Sequence, residues 1–178
     1  EALIRAYEGR IYHIALKALG NAEDAGDATQ ETLLKIYRFL PDFKGQSRFS
    51  TWVYRIAVNT CYDFLRQNAR RKRAQDADLA EDMPLLSRLA SDRAKQPEQM
   101  LEQKLRKKAL DQAIARLSPE HRMMIILRDI QGLSYARIAA ITSLSEGTVK
   151  SRLSRARRAL RRQLIQEGTF FDTGPSKK

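Results

Sequence analysis

The apolar residues of this chain recur every three or four positions, and no stretch alternates apolar and polar residues for long enough to make a convincing strand. At the start of the chain, one side of such a helix carries Leu3, Tyr7, Ile11, Ile14 and Ala18. Because the same spacing returns along the chain, the sequence predicts an all-α protein.

Local stop and start signals divide this pattern into helices. Gly20 is a natural end for the first helix, Asn21 can cap the second, and Pro41 ends the second. Serines are the predicted caps of the last three helices, at Ser118, Ser134 and Ser145. The predicted helices after the second are 50–68, 98–117, 118–131, 134–141 and 145–166.

The segment 71–97 lacks this regular spacing and contains charge blocks, Pro84 and Pro97. We interpret it as a linker with one turn of helix at the motif PLLSRLA. The expected divisions are a helical domain 1–70, a linker 71–97, a helical domain 98–167 and a tail 168–178. Each domain is near the lower size limit for independent stability, so a partner is expected to fix their arrangement.

Positive charge is concentrated in the last third of the chain. The net charge is +12, and residues 101–178 hold 17 of the 33 basic residues but only 7 of the 21 acidic ones. This asymmetry indicates a nucleic-acid-binding end joined to a region with another role.

The pattern LSYARIAAITSLSEGTVKSRLSRA within that basic end predicts a short helix, a tight turn and a longer basic helix. This is the layout of a helix-turn-helix, whose second helix enters the major groove of DNA. Ser143 stands in the turn where glycine is common, at a small cost. The alternative, a solvated basic face, would suit an isolated helix, and the capped helix before it favours DNA.

A helical wheel divides the last helix into two faces. The apolar stripe that must pack inward is Val149, Leu153, Ala156, Leu160 and Leu164. The residues predicted to read bases lie on the outward face, near the start of the helix, and are Lys150, Ser151, Ser154 and Arg155. The later arginines are expected to meet phosphate or another protein, and they are Arg157, Arg158, Arg161 and Arg162.

The third helix carries a stripe of aromatic, basic and amide side chains: Trp52, Arg55, Asn59, Tyr62, Asp63 and Arg66. Aromatic faces stack unpaired bases and arginines neutralise phosphates, so the stripe is consistent with single-stranded DNA. A partly buried tryptophan beside a solvated face explains the same pattern, and the residues alone leave both possibilities open.

On the second helix, Leu34 stands among the charged residues Asp27, Glu31 and Arg38. The opposite, inward face is predicted to hold Thr29, Thr32, Leu33, Ile36 and Leu40. An exposed leucine with acidic neighbours is suited to anchor a basic protein partner, helix against helix. Gly26 lies inside this helix and costs about 1 kcal/mol relative to alanine.

Patterns typical of enzymes and metal sites are absent from the sequence. His13 and His121 are far apart, Cys61 stands alone, and there is no GxxxxGK[ST] phosphate loop. We therefore expect no metal, no cofactor and no catalysis. Cys61 is expected to be buried, a lone thiol fits the cytoplasm, and no apolar run approaches the roughly 18 residues of a membrane span.

Three motifs in order resemble a bacterial sigma factor of the extracytoplasmic-function (ECF) type. They are AEDAGDATQETLLKIYRFLPDFKG, STWVYRIAVNTCYDFLR and LSPEHRMMIILRDIQGLSYARIAAITSLSEGTVKSRLSRARRAL, with the linker between the second and the third. The resemblance covers the chain from about Leu3 to Leu164. It implies a promoter-specificity subunit of RNA polymerase, usually held inactive by an anti-sigma factor. Gly26 departs from the family, which usually has an acidic residue there.

The resemblance also assigns roles to residues. The matching positions for docking on the coiled coil of the largest polymerase subunit are Asp27, Gln30, Glu31, Leu34 and Arg38. Those for the melted −10 strand, in and after the loop 44–50, are Phe43, Phe49, Ser50, Trp52, Arg55 and Asn59. Those for the −35 duplex are Lys150, Ser151, Ser154, Arg155 and Arg158. The second domain is implied to meet the flap of the second-largest subunit, and acidic linker residues are implied to lie near the nucleic-acid path, namely Asp76, Asp78, Glu81 and Asp82.

An autonomous helix-turn-helix repressor or activator, with an N-terminal domain that senses a partner, is the alternative. The stripe on the third helix discriminates between the two, because such a regulator has no use for a single-strand surface.

Overall fold

The computed structural model describes residues 2–75 and 97–166, which form seven α-helices with no strand among them. The helices are α1 Ala2–Leu19, α2 Ala22–Phe39, α3 Phe49–Gln75, α4 Pro97–Ala115, α5 Pro119–Ile125, α6 Tyr135–Thr142 and α7 Glu146–Gln166. A 3₁₀ turn, Leu40–Asp42, follows α2, and a π-helical turn, Ile126–Ile130, follows α5. The prediction of an all-α fold is confirmed.

The ends of the helices coincide with the predicted caps. Gly20 has φ 85°, and the side-chain oxygen of Asn21 accepts a hydrogen bond from the backbone N–H of Asp24 at 2.8 Å. Three serine hydroxyls accept from the backbone N–H three residues further on in the same way, those of Ser118, Ser134 and Ser145. A cap of this kind is worth about 1 kcal/mol, so local sequence defines where these helices begin.

The chain forms two helical units. In the first, α1, α2 and α3 contact one another and bury Ile11, Ile36, Val53 and Ala57. In the second, α5, α6 and α7 surround a core whose largest members are Met123, Met124, Ile138, Ile141, Val149 and Leu153.

These two units lie against each other. The larger cluster of buried apolar residues includes Tyr54, Val58 and Cys61 from α3 together with Ile138 and Ile141 from α6. Helix α3 contacts α6, and α1 contacts α4. The relative placement of the domains, which the sequence leaves open, is therefore a closed one with shared buried surface.

Helix α3 is longer than the sequence predicts. It continues to Gln75, whereas we expected an end near Asn68 and a linker from residue 71. The segment 69–75 contains only Ala, Arg, Lys and Gln, all good helix formers, so this charge block forms the end of α3. The predicted turn at PLLSRLA and the acidic residues Asp76, Asp78, Glu81 and Asp82 lie outside the described residues.

The expected inward position of Leu40 is wrong. Thr32 and Ile36, predicted on the same stripe, are buried, but Leu40 is 39% exposed. Helix α2 ends at Phe39 and Leu40 begins a 3₁₀ turn, so Leu40 no longer belongs to the α-helical stripe that faces the core. None of the helices over 2–75 and 97–166 is long and apolar enough to cross a membrane.

Candidate nucleic-acid and protein interfaces

Helices α6 and α7 are the two arms of the predicted helix-turn-helix. Between them, Ser143 has φ 56° and ψ 35°, the left-handed conformation that glycine adopts most easily. The backbone N–H of Leu144 donates to the carbonyl of Ala139 at 3.2 Å and closes the end of α6. Serine thus occupies the turn as predicted, at a cost on the order of 1 kcal/mol relative to glycine.

Helix α7 presents the two faces that the wheel predicts. Val149, Leu153 and Ala156 are buried in the core of the second unit. The residues predicted for −35 DNA are all exposed on the other side: Lys150, Ser151, Ser154, Arg155 and Arg158. The structure therefore brings all five together on one accessible helix face, with a positive charge at three of them.

Two other arginines of α7 are held by carboxylates of their own unit. Arg157 donates from Nε to one oxygen of Asp129 at 3.1 Å and from Nη2 to the other at 2.5 Å. Nη1 of Arg152 lies 3.2 Å from a carboxylate oxygen of Glu120. The sequence grouped Arg157 with the later arginines as a contact to phosphate or protein, but the structure gives it a partner within the unit.

Tyr135, at the start of α6, connects α7 with the turn after α5. The ammonium of Lys150 lies 5.8 Å from the centre of its ring, and the guanidinium of Arg128 lies 4.8 Å from it. Arg128 also donates to the carbonyl of Leu133 at 2.8 Å. Such cation–π contacts restrain Lys150, so Tyr135 is a positioning residue that the sequence did not reveal.

The first unit carries a cluster of three aromatic rings where the loop after α2 meets α3. The ring centres of Phe43 and Trp52 are 5.1 Å apart, those of Phe43 and Phe49 5.6 Å, and those of Phe49 and Trp52 5.7 Å. Phe49 and Trp52 also pack against the buried core of this unit. Trp52 is thus partly buried, as the second interpretation of the α3 stripe expected, and it still contributes to an aromatic surface.

A shallow cavity of about 280 Å³ adjoins this aromatic cluster. Its lining residues are Asp42, Phe43, Lys44, Gln46, Ser47, Trp52 and Arg55. Lys44 and Arg55 supply positive charge beside the faces of Phe43 and Trp52, a combination that suits an unpaired base and its phosphate. The sequence did not single out Asp42, Gln46 and Ser47 as lining residues. They lie outside the α-helices, so a helical wheel does not predict the direction of their side chains.

The other residues predicted for the −10 strand lie near this cavity but do not line it. Ser50 is half-buried in the first turn of α3, and Phe49 supports the cavity from the core side. Asn59 is exposed on α3, roughly 10 Å along the helix from Trp52 at the usual rise of about 1.5 Å per residue.

The predicted stripe on α3 is divided between two sites. Trp52 and Arg55 line the cavity, whereas Asp63 and Arg66 line a second groove between α2 and α3. Tyr62 lines neither site: it is half-buried against the larger core cluster, and burial raises the pKa of its hydroxyl to about 12. The stripe is therefore not one continuous single-strand surface.

The groove between α2 and α3 has a volume of about 610 Å³ and contains four of the five residues predicted for polymerase docking. Its lining residues are Asp27, Gln30, Glu31, Leu34, Lys35, Asp63, Phe64, Arg66, Gln67 and Arg70. Nζ of Lys35 lies 3.4 Å from Oε1 of Glu31 and 3.7 Å from Oδ2 of Asp63. Nη2 of Arg66 lies 2.5 Å from Oδ1 of Asp63. The contribution of α3 was missed, although the spacing of Asp63, Arg66, Gln67 and Arg70 puts them on one helix face.

Leu34 is 65% exposed at this groove, as the sequence predicts. Arg38, the fifth predicted docking residue, is exposed further along α2 and lies 5.9 Å from the ring of Phe39 rather than in the groove. Tyr37 is 76% exposed beside it, so the apolar part of this surface extends beyond Leu34.

Among the residues that the structure describes, no group of three side chains could hold a metal ion. Cys61 is buried, as predicted, and burial raises the pKa of its thiol to about 12. The thiol is therefore neutral at physiological pH and unsuited to nucleophilic or redox chemistry.

Comparison with known proteins identifies the class to which this architecture belongs. Sigma-70 region 2 matches residues 3–71, and sigma-70 region 4 matches residues 107–160, one in each helical unit. The ECF RNA polymerase sigma-E factor of Escherichia coli is 40% identical over 137 residues, which are 77% of this chain and 72% of that protein. The RNA polymerase sigma-H factor of Pseudomonas aeruginosa is 34% identical over 169 residues, 92% and 85% of the two chains.

The fold agrees with these matches. A crystallised sigma factor, RpoE of Bartonella quintana in complex with the anti-sigma factor NepR, superposes with a TM-score of 0.70 at 25% identity, covering 92% of this chain and 95% of that one. This chain therefore belongs to the ECF family of sigma factors.

Proposed function

We propose that this chain binds core RNA polymerase and directs transcription initiation by recognising a −35 duplex and a melted −10 strand. The observation that supports this most directly is the presence of two chemically different nucleic-acid surfaces in one chain. The exposed face of α7 suits duplex DNA, and the aromatic cavity with Lys44 and Arg55 suits unpaired bases.

At the −35 element, α7 enters the major groove. Arg155 is matched to guanine by its two-point donor geometry, and Lys150, Ser151 and Ser154 reach neighbouring base edges or phosphates. Arg158 lies one turn further along the helix and contacts the backbone.

At the −10 element, Phe43 and Trp52 stack an unpaired base while Arg55 neutralises its phosphate. Phe49 and Ser50 shape the start of α3 beneath that base. Asn59, exposed further along α3, offers a donor and an acceptor to the next base of the strand.

The α2–α3 groove docks on the largest polymerase subunit. Leu34 supplies an exposed apolar anchor, and the acidic residues Asp27 and Glu31 favour a basic partner helix. Gln30 and Arg38 extend the contact along α2. The second unit meets the second-largest subunit, and an anti-sigma factor holds the chain inactive, as the complex of the Bartonella relative suggests.

The remaining features follow from the same role. The proposed division is a first domain that ends with α3 at Gln75, a linker, a second domain that begins with α4 at Pro97, and a tail from residue 168. The protein works in the cytoplasm, where its polymerase is, and it needs no cofactor because the catalytic chemistry belongs to the polymerase.

Selection of bound promoters from genomic DNA by the reconstituted holoenzyme, followed by transcription from the selected fragments, tests this function. We expect start sites preceded by a shared −35 and −10 pair, and no specific binding by the chain alone. Tight specific binding without polymerase, or no start at any fragment, would instead favour the autonomous regulator.

A further inference from the structure

The end of α3 continues past the place where it packs on α2. The two helices run antiparallel, and Nδ2 of Asn68 donates to Oδ2 of Asp24 at 2.7 Å near the start of α2. Helix α2 begins at Ala22, whereas α3 continues beyond Asn68 to Gln75. The segment 69–75, which we call the α3 extension, adds about 10 Å of helix at about 1.5 Å per residue.

The α3 extension is basic and exposed. Its sequence ARRKRAQ has four consecutive basic residues and no acidic one. The side chains that are exposed there are those of Ala69, Arg70, Arg71, Arg73 and Ala74. The helix macrodipole favours cations at a C-terminus, which explains part of this composition. The dipole does not select one side of the helix, however, whereas an extended ligand does.

Arg73 lies on the same side of α3 as two residues proposed for the −10 strand. At about 100° per residue, Arg73 comes about five turns after Arg55 and at nearly the same angle, and Asn59 is about 40° from both. Arg70 is about 60° from Arg73, and Arg71 is about 160° from it, almost opposite. One exposed line of α3 therefore runs from the aromatic cavity to a basic end.

Chain order determines which part of the promoter the α3 extension approaches. The cavity proposed for the −10 strand is at the start of α3, and the unit proposed for the −35 element follows α3 in the chain. Duplex DNA separates the two elements, so the end of α3 points from the −10 element towards that duplex. The distance along α3 from Arg55 to Arg73 is about 27 Å, which matches about eight base pairs at about 3.4 Å each.

We propose that the α3 extension binds the sugar–phosphate backbone of the duplex directly upstream of the −10 element, mainly through Arg73. The ligand is double-stranded DNA of any sequence, because a guanidinium on a phosphate carries no sequence information. Charge complementarity and continuity with the −10 surface support this occupant. The inference rests on the proposed function for the place of the −10 strand, and it adds a duplex contact that holds the edge of the melted region on α3.

Two forked DNAs with the same single-stranded −10 tail separate this contact from the −10 contact. In the short fork the duplex ends at the upstream edge of the −10 element, and in the long fork it continues for about eight more base pairs. Neither fork contains a −35 element, so base reading by α7 does not distinguish them. Fluorescence anisotropy of the labelled forks with reconstituted holoenzyme measures both affinities over a range of salt concentrations.

Arg73→Ala is the informative variant, because Arg70 also lines the α2–α3 groove and Arg73 lines neither that groove nor the aromatic cavity. We expect it to weaken binding to the long fork about fivefold, to lower the slope of log K against log salt by about 1, and to leave the short fork unchanged. Arg73→Lys, which keeps the charge, should retain most of the affinity. Alanine is a strong helix former, so the variant keeps the α3 extension helical.

Arg71→Ala is the matched control. It removes the same charge from an exposed residue on the almost opposite side of α3, and we expect it to change binding to neither fork. A loss on the long fork equal to that of Arg73→Ala would overturn the one-sided contact, since it would reflect net charge alone.

Other outcomes are equally decisive. Equal binding of both forks by the wild-type holoenzyme, or equal losses on both forks for Arg73→Ala, would overturn the duplex contact. Weaker co-elution of Arg73→Ala with core polymerase in the absence of DNA would assign the α3 extension to a protein interface instead. Failure of the wild-type holoenzyme to bind either fork would refute the proposed function itself, a result distinct from equal binding of both.

Discussion

Arg157 and Asp129, 28 residues apart in the chain, are joined by two hydrogen bonds between the guanidinium and both carboxylate oxygens. These two bonds tether α7 to the turn after α5. They also give Arg157 a partner within its own unit, whereas its neighbours Arg155 and Arg158 are exposed. Arginines that are adjacent in the sequence thus have different roles, one internal and two available to a ligand.

Arg155→Ala should cost about 1–3 kcal/mol at the preferred −35 base and relax the preference at that position. The reason is the loss of a two-point contact to a base edge, which no other residue replaces. This base preference is measured by competition binding of the holoenzyme to promoters that carry every single substitution of the −35 element. Arg157→Ala is the matched control and should leave base preference unchanged, and an equal loss on all sequences would make Arg155 a phosphate contact.

Asn59→Ala should impair promoter opening while leaving polymerase binding intact, because Asn59 is exposed on α3 away from the α2–α3 groove. Permanganate reactivity of unpaired thymines in the holoenzyme–promoter complex reports opening, and co-elution with core polymerase reports docking. A premelted promoter should restore transcription by the variant. Loss of docking would show that Asn59 belongs to the polymerase surface instead.

Leu34→Ala should weaken binding to core polymerase by about 1–2 kcal/mol, since it removes an apolar anchor at the proposed docking groove between α2 and α3. The thermal midpoint should hardly change, because the side chain is 65% exposed in the free chain. Fluorescence anisotropy with labelled core polymerase measures the affinity. Leu105→Ala, which removes a 54% exposed leucine of α4, is the comparison, and an equal loss there would contradict a specific anchor.

Gly26→Ala should raise the free energy of unfolding by about 0.5–1 kcal/mol. A Cβ atom at Gly26 meets no atom within 4 Å, so alanine adds helix propensity without a clash. Gly132→Ala is the informative counterpart, because its site is equally open but its φ is +67°. Alanine is strained in that conformation, so Gly132→Ala should lower the free energy of unfolding by about 1 kcal/mol. Urea denaturation measures both variants. Stabilisation by both changes would refute the conformational explanation.

The thiol of Cys61 should resist alkylation by iodoacetamide at pH 8.5 in the folded protein and react rapidly in urea. Burial raises its pKa to about 12, so the folded thiol stays neutral where an unfolded one begins to ionise. The pKa of Cys61 is higher in the folded chain than in the unfolded one. The free energy of unfolding therefore keeps its full contribution from Cys61 below about pH 8.5. It loses that contribution as the pH rises towards 12, because the unfolded thiol ionises first. Cys61→Ala should flatten that decline between pH 9 and 10.5, and rapid labelling of the folded chain would contradict the burial.

Most helix starts and helix faces were predictable from the sequence, whereas the end of α3 and the exposure of Leu40 were not. The caps at Asn21 and Ser134, the left-handed Ser143 and the buried stripe of Val149 and Leu153 all depend on residues a few positions apart. Such signals are local, and three- to four-residue periodicity determines which side of a helix faces inward. The fold class and the outward face of α7 therefore needed no tertiary information.

The pairing of distant side chains was decided only by the tertiary structure. The sequence treats the α3 stripe as one surface, but the placement of α2 assigns Asp63 and Arg66 to its groove, and the loop after α2 assigns Trp52 and Arg55 to the cavity. In the same way, the contact of Arg55 with Ala140 spans 85 positions. A helical wheel gives the direction of a side chain but not what lies opposite it, because that depends on how separate helices pack in space.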